Sequence, residues 1–190
     1  MEEDEIDEYY EMKTFYSVGK YQEVLNEVPN VAESLTRDIL YFKACIALRK
    51  YGEVLSKLNA DHSSVELVSL YHWATFLATP DAGSRRRSME AMAALRESHP
   101  REGAVLLVAA QMAVAEGNLT DAFAALTHCH TPDGYTLLIQ LYLSLNHVEL
   151  ASVQLKALIS LLSSLGQSED DALVLLCSNW IATAAATPAG

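Results

Sequence analysis

The chain has 190 residues, a net charge of −12 and an apolar fraction of 51%; the apolar content excludes general disorder, and the acidity excludes nonspecific attraction to nucleic acid or anionic membrane. Eight Gly and five Pro are too few for an all-β sandwich built on tight turns. Cys45, Cys129 and Cys177 are odd in number and lack C-x-x-C spacing, which fits reduced thiols in a cytosolic protein better than a disulfide frame.

The chain opens on Glu2, Glu3, Asp4, Glu5, Asp7 and Glu8, without the basic and apolar regions of a secretory signal. This acidic run reads as a solvated tail and the first turn of helix one. Self-similarity follows at once: Lys20-Tyr21-Gln22-Glu23-Val24-Leu25 recurs as Lys50-Tyr51-Gly52-Glu53-Val54-Leu55, 51 − 21 = 30 residues on. Met12, Phe15, Tyr16 and Gly19 precede the first copy; Ile39, Phe42, Ile46 and Leu48 precede the second. The first set has the i, i+3, i+4, i+7 spacing of an amphipathic helix, and the second keeps its i, i+3, i+7 positions. The spacing predicts two helical hairpins.

Residues Val65 to Ala78 read as one helix and Ser88 to Glu97 as its return, joined by a loop through Thr79-Pro80-Asp81-Ala82-Gly83. Arg85-Arg86-Arg87 then falls in a solvated loop before the return helix. Farther on, the apolar stretch Ala104 to Ala115 leads into Gly117-Asn118-Leu119-Thr120-Asp121-Ala122, which aligns with Asn146-His147-Val148-Glu149-Leu150-Ala151 at 151 − 122 = 29. Gly117 and Asn146 suit the left-handed residue that ends a helix. Glu169 to Ala186 reads as a further first helix, starting at Ser168 or Glu169, with Asp170 and Asp171 at its positive end. The sequence stops at Thr187-Pro188-Ala189-Gly190, where a turn is expected, and reads as cut short.

The fold expected is all-α: a right-handed superhelix of tetratricopeptide-like hairpins, an α-solenoid, forming a single repeat domain over residues 1–190. It comprises five hairpins and the unpaired first helix of a sixth, with Leu173, Leu176, Trp180 and Ile181 awaiting a cap or partner. The apolar stretches are too short or too polar to span a bilayer.

Little in the sequence points to catalysis. His128-Cys129-His130 superficially suggests a metal site, but adjacent side chains diverge and no second ligand pair stands at zinc spacing. Cys129 lacks a legible base or oxyanion pocket, and no G-x-S-x-G, P-loop or H-E-x-x-H motif occurs. No cofactor or metal is expected. The aromatics from Tyr9 to Phe76 have the spacing of packing residues between hairpins.

The order of these pieces resembles the epsilon subunit of coatomer. The residues that carry the resemblance are the acidic start running into a Tyr-rich helix, Gly19-Lys20-Tyr21-Gln22, Thr36-Arg37-Asp38 and Leu48-Arg49-Lys50-Tyr51-Gly52. To these are added Glu116-Gly117-Asn118 with Ala122, Leu119 to Leu126, and Asn179-Trp180-Ile181-Ala182. The resemblance implies a non-enzymatic, cytoplasmic repeat subunit that binds the carboxy-terminal region of the coatomer alpha subunit. It implies a place on the cytosolic side of Golgi membranes and vesicle coats, in retrograde Golgi-to-ER transport, with membrane reached only through the assembled coat and no nucleic acid bound.

The inner face of such a superhelix is lined by the first helix of each hairpin. Aligning Ala122 with Ala151 places Gln111, Val114, Gln140 and Leu143 there, joined by Trp180 on the last helix; these five are the candidate partner-binding residues. The first four are expected to face solvent in the isolated chain, and Trp180 to be presented on the unpaired last helix. A generic adaptor or co-chaperone gripping a peptide is the alternative, but a clamp for a terminal carboxylate needs converging cations, and residues 102–190 offer only Lys156.

Overall fold

The computed structural model describes residues 8–167 and 171–186. The expected start at Ser168 or Glu169, Asp170, the run from Glu2 to Asp7 and the closing Thr187-Pro188-Ala189-Gly190 lie outside them. Among the described residues there are eleven α-helices and no strand: α1 (Tyr10–Ser17), α2 (Tyr21–Glu27), α3 (Leu35–Ala47), α4 (Tyr51–Lys57), α5 (Val65–Ala78), α6 (Ala82–Ser98), α7 (Gly103–Ala115), α8 (Leu119–Leu126), α9 (Pro132–Ser144), α10 (Val148–Ser164) and α11 (Ala172–Ala186). The all-α, hairpin-built fold is thus as expected. The chain divides into two compact units, residues 1–89 and 90–190.

Four hairpins reverse direction by one backbone device. Gly19, Arg49, Gly117 and Asn146 have φ of 77°, 59°, 76° and 60°. In each case the next residue's N–H donates to the carbonyl five residues back: Lys20 to Phe15, Lys50 to Cys45, Asn118 to Ala113 and His147 to Tyr142, all at 2.8 Å. The left-handed residue itself donates three residues back, to Tyr16, Ile46, Val114 and Leu143. This is the Schellman arrangement, which uses carbonyls that a helix end leaves without partners. Gly117 and Asn146 are where the sequence placed them; Arg49 carries the same conformation with a side chain that disfavours it.

Because the turns are alike, the second helices start in register. Their fourth residues, Val24, Val54, Ala122 and Ala151, are completely buried. Their third residues are Glu23, Glu53, Asp121 and Leu150. Three carboxylates therefore meet the positive end of a helix, and the fourth hairpin departs from the pattern.

Several first helices begin on a side-chain cap. The Ser34, Ser64 and Thr131 hydroxyls accept the N–H of Arg37, Leu67 and Gly134 at 3.1, 3.3 and 3.1 Å, each satisfying a donor that the first turn leaves open. In α6, the Asp81 carboxylate accepts from the Ser84 N–H at 2.7 Å, so the helix starts six residues before the expected Ser88. Arg85-Arg86-Arg87 accordingly lies on the helix rather than in a solvated loop, and the Arg85 guanidinium stands 4.3 Å from the centre of the Phe76 ring, a cation over an aromatic face.

In the first unit, α1 packs on α3 and α3 on α5. Met12, Val24, Leu40 and Ala44 form one cluster; Phe42, Cys45, Ile46, Val54 and Leu58 join Leu67, Leu70 and Ala74 in the next. Most of the aromatics are spent here: Phe42 and Phe76 are buried and Trp73 stacks on Phe76 with centroids 5.5 Å apart. Tyr10 alone of the eleven is mostly exposed, so the expectation of packing over a groove holds.

In the second unit, α7 packs on α9 and α9 on α11, with α8 and α10 as their return helices. One cluster joins α7, α8 and α9 through Leu106, Ala110, Leu126 and Leu138; another joins α9, α10 and α11 through Ile139, Leu158, Val174 and Cys177. Tyr135 and Tyr142 lean on both clusters.

Candidate partner-binding face

The first helices α7, α9 and α11 lie side by side, which brings the five candidate residues into one layer. Their environments differ. Gln140 is exposed and Gln111 is half-buried. Val114 is half-buried against the α7–α9 cluster, while Leu143 and Trp180 share the α9–α11 cluster. The expectation of a solvent-facing, freely presented set is therefore corrected: three apolar members lean on the core by one edge, because the outward surface of each helix is narrower than a strict i, i+3 reading suggests.

The last helix is corrected in the same way. Leu173 is buried with Val174 and Cys177, and Trp180 and Ile181 pack against them. The large apolar residue that α11 exposes is Leu175, at 51%, with Asn179 exposed one turn on. Sequence reasoning chose the opposite side because α11 is apolar nearly all round, and so carries no marked stripe to read.

The chemistry of this layer is neutral. The sequences of α7, α9 and α11 contain no Lys or Arg, and Asp133 is their sole carboxylate. Cys177 is buried, and burial pushes its thiol above the ordinary range, opposed by a hydrogen bond with Thr136. Such a surface binds through shape, apolar area and amide hydrogen bonds rather than through steering charge.

The His128-Cys129-His130 run is pulled apart by the turn it occupies. Cys129 is completely buried, with its Sγ 3.4 Å from both the Gly103 carbonyl and the Thr131 hydroxyl, whereas His128 and His130 are exposed. Among the described residues no group of three or more His, Cys, Asp or Glu is placed to hold a metal ion, and no helix is long and apolar enough to cross a membrane.

Two glycines missed by sequence reasoning position this layer. A Cβ on Gly134 would lie 2.6 Å from the Cys129 carbonyl and 2.7 Å from its Sγ, and one on Gly103 would overlap the Thr131 methyl. The first turns of α7 and α9 thus meet around Cys129 and Thr131 with no room for a side chain.

The polar cluster with the strongest perturbation sits elsewhere, between α3 and α4. Tyr41 donates to the Glu53 carboxylate, and the Lys57 ammonium lies 2.6 Å from the same phenol and 4.6 Å from its ring centre. Burial, then the Glu53 bond, raises the Tyr41 phenol; the Tyr41 bond in turn lowers Glu53. All three are partly exposed and clasp two helices of one hairpin.

The comparisons bear on the family and the fold. The family model described as coatomer epsilon subunit matches residues 5–189. Coatomer subunit epsilon-2 of Arabidopsis thaliana is 24% identical over 187 residues, covering 92% of this chain; the chain spans 59% of that relative's length. A crystal structure of a thermophilic TPR protein from Thermus thermophilus matches with a TM-score of 0.55 at 16% identity, covering 95% of this chain and 98% of that one. This likeness supports the helical-hairpin fold alone. With the family match running over nearly all of its length, the chain belongs to the coatomer epsilon subunit family.

Proposed function

We propose that this chain is a non-catalytic subunit of the coatomer coat that binds the carboxy-terminal region of the coatomer alpha subunit and stabilises it during retrograde Golgi-to-ER transport. It acts in the cytoplasm and reaches Golgi membrane only as part of the assembled coat; nucleic acid is not a partner. The observation that carries the reading is the side-by-side layer of α7, α9 and α11 in a chain of this family.

The contact surface is the outward side of that layer, with Gln111, Val114, Gln140 and Leu143 on it and, on α11, exposed Leu175 and Asn179 in place of the core-packed Trp180. Its lack of Lys and Arg disfavours a clamp for a peptide's terminal carboxylate and suits a largely uncharged partner surface. The test is co-expression with the alpha-subunit carboxy-terminal region, followed by size exclusion. Gln140 and Asn179 are both exposed, so Gln140→Arg with Asn179→Arg disturbs the face while sparing the core. Co-elution of the native chain, weakened at least about tenfold in the double variant with helicity retained, is the expected result. A native chain that never co-elutes refutes the proposal.

A further inference from the structure

The four matching hairpins make an internal control for every surface position on their second helices. At the third residue Glu23, Glu53 and Asp121 are replaced in the fourth hairpin by Leu150, and at the sixth residue Asn26, Ser56 and Ala124 are replaced by Val153. Leu150 is 45% exposed and Val153 55%, and Leu145, at the end of α9, is 41% exposed. The local chemistry favours a carboxylate at the third position, where it meets free N–H groups and the positive helix end. Leu150 forgoes that gain and leaves apolar surface in water. Natural sequences break a local rule chiefly where function requires it.

We infer that the outward face of α10 around Leu150 and Val153, with Leu145 at its edge, is a docking surface for one short amphipathic helix of a partner protein that lays its apolar side on this ridge. The two anchors of this surface are on a return helix, with Leu145 at the tip of α9, and so are separate from the residues assigned to the alpha subunit. Its size selects the occupant. The exposed parts of three side chains amount to on the order of 250 Å², against about 800 Å² per partner in a stable protein complex, so a second copy of this chain finds too little area. A single helix needs only a short row of anchors, and Leu150 and Val153, one turn apart, form a ridge against which it can pack. Charge on the flank is balanced, exposed Glu149 adjoining Leu150 and exposed Lys156 lying one turn beyond Val153, so apolar contact selects the occupant.

The substitution Leu150→Glu separates docking from folding, because it installs the carboxylate that the other three hairpins carry. The probe is a short fluorescein-labelled helical peptide of Leu, Ala and Lys, with leucines at i, i+3, i+4 and i+7, titrated by anisotropy against the full chain. Saturable binding is expected, weakened at least about tenfold by Leu150→Glu and by Val153→Ser, while the melting temperature of Leu150→Glu is unchanged or raised. Since the added carboxylate attracts a cationic peptide more strongly, a fall in affinity reports the lost apolar contact. Equal binding by Leu150→Glu, absence of saturable binding, or sedimentation showing self-association that Leu150→Glu abolishes would each overturn the inference. Co-elution with the alpha-subunit region, read on the same variant, should persist; its loss would merge the two surfaces into one and overturn their separation.

Discussion

Arg49 is the position at which a single substitution should improve this protein. It holds φ at 59°, in the same Schellman turn that Gly19 and Gly117 make at 77° and 76°. A left-handed conformation costs an L-residue about 1–2 kcal/mol. Glycine removes that cost but loses about 0.5–1 kcal/mol more in ordering the chain. Arg49→Gly should therefore stabilise by about 0.5–1 kcal/mol, raising the melting temperature by about 1–4 °C for a chain of this size. Gly117→Val is the mirror test: nothing lies within 4 Å of a Cβ built there, so its cost is backbone strain, about 1 kcal/mol or more. Urea denaturation followed by helical circular dichroism measures both. A lowered midpoint for Arg49→Gly, or no change for Gly117→Val, would refute the argument that the turns set the hairpins' stability.

Gly134→Ala should destabilise by about 2 kcal/mol or more, since its Cβ meets backbone at Cys129 and must displace a helix end; a midpoint within error of the native value contradicts the packing described. Tyr41→Phe removes the bond that chiefly holds Glu53 below its ordinary 4.5. The native Glu53 contribution is complete above 4.5 and fades as pH falls through the lowered value, so carboxyl NMR should show Glu53 titrating at higher pH in the variant. The three cysteines are buried, and Cys45 and Cys177 are shifted upward by burial; a thiol reagent at neutral pH should react with all three only at the rate of unfolding, and rapid native labelling of any would contradict their burial.

The hairpins were legible because their turns are written in residues with few alternatives. The periodicity of Val65 to Ala78 marks that helix to the residue, and the chemistry of Gly117 and Asn146 marks the left-handed positions. Arg49 was not foreseen, because no propensity marks Arg for that conformation; only its place 30 residues after Gly19 does. The start of α6 was missed because Gly83 and the arginine run look like a loop, while the Asp81 cap and the Arg85 stack on Phe76 that hold it helical are contacts made in three dimensions. Gly103 and Gly134 give no signal in a single sequence, since the atoms that forbid a side chain there come from Cys129 and Thr131 on another segment. Membership of the candidate layer was legible from repeat phase; the exposure of each member depended on neighbouring helices that the phase does not describe.

The turn that joins the two helices of each hairpin asks almost nothing of the residues around it. Its two hydrogen bonds run between main-chain groups, and one left-handed position is its only demand. The tips are consequently free to drift: Lys20, Lys50, Asn118 and His147 occupy one matching place, and Glu23, Glu53, Asp121 and Leu150 another. An ancestor made of near-identical hairpins could diversify each tip separately, acquiring a charged, a polar or a greasy edge without reworking the joint. Grafting a tip from one hairpin onto another should then transfer its surface character intact, which makes this array a natural scaffold for installing new contacts one hairpin at a time.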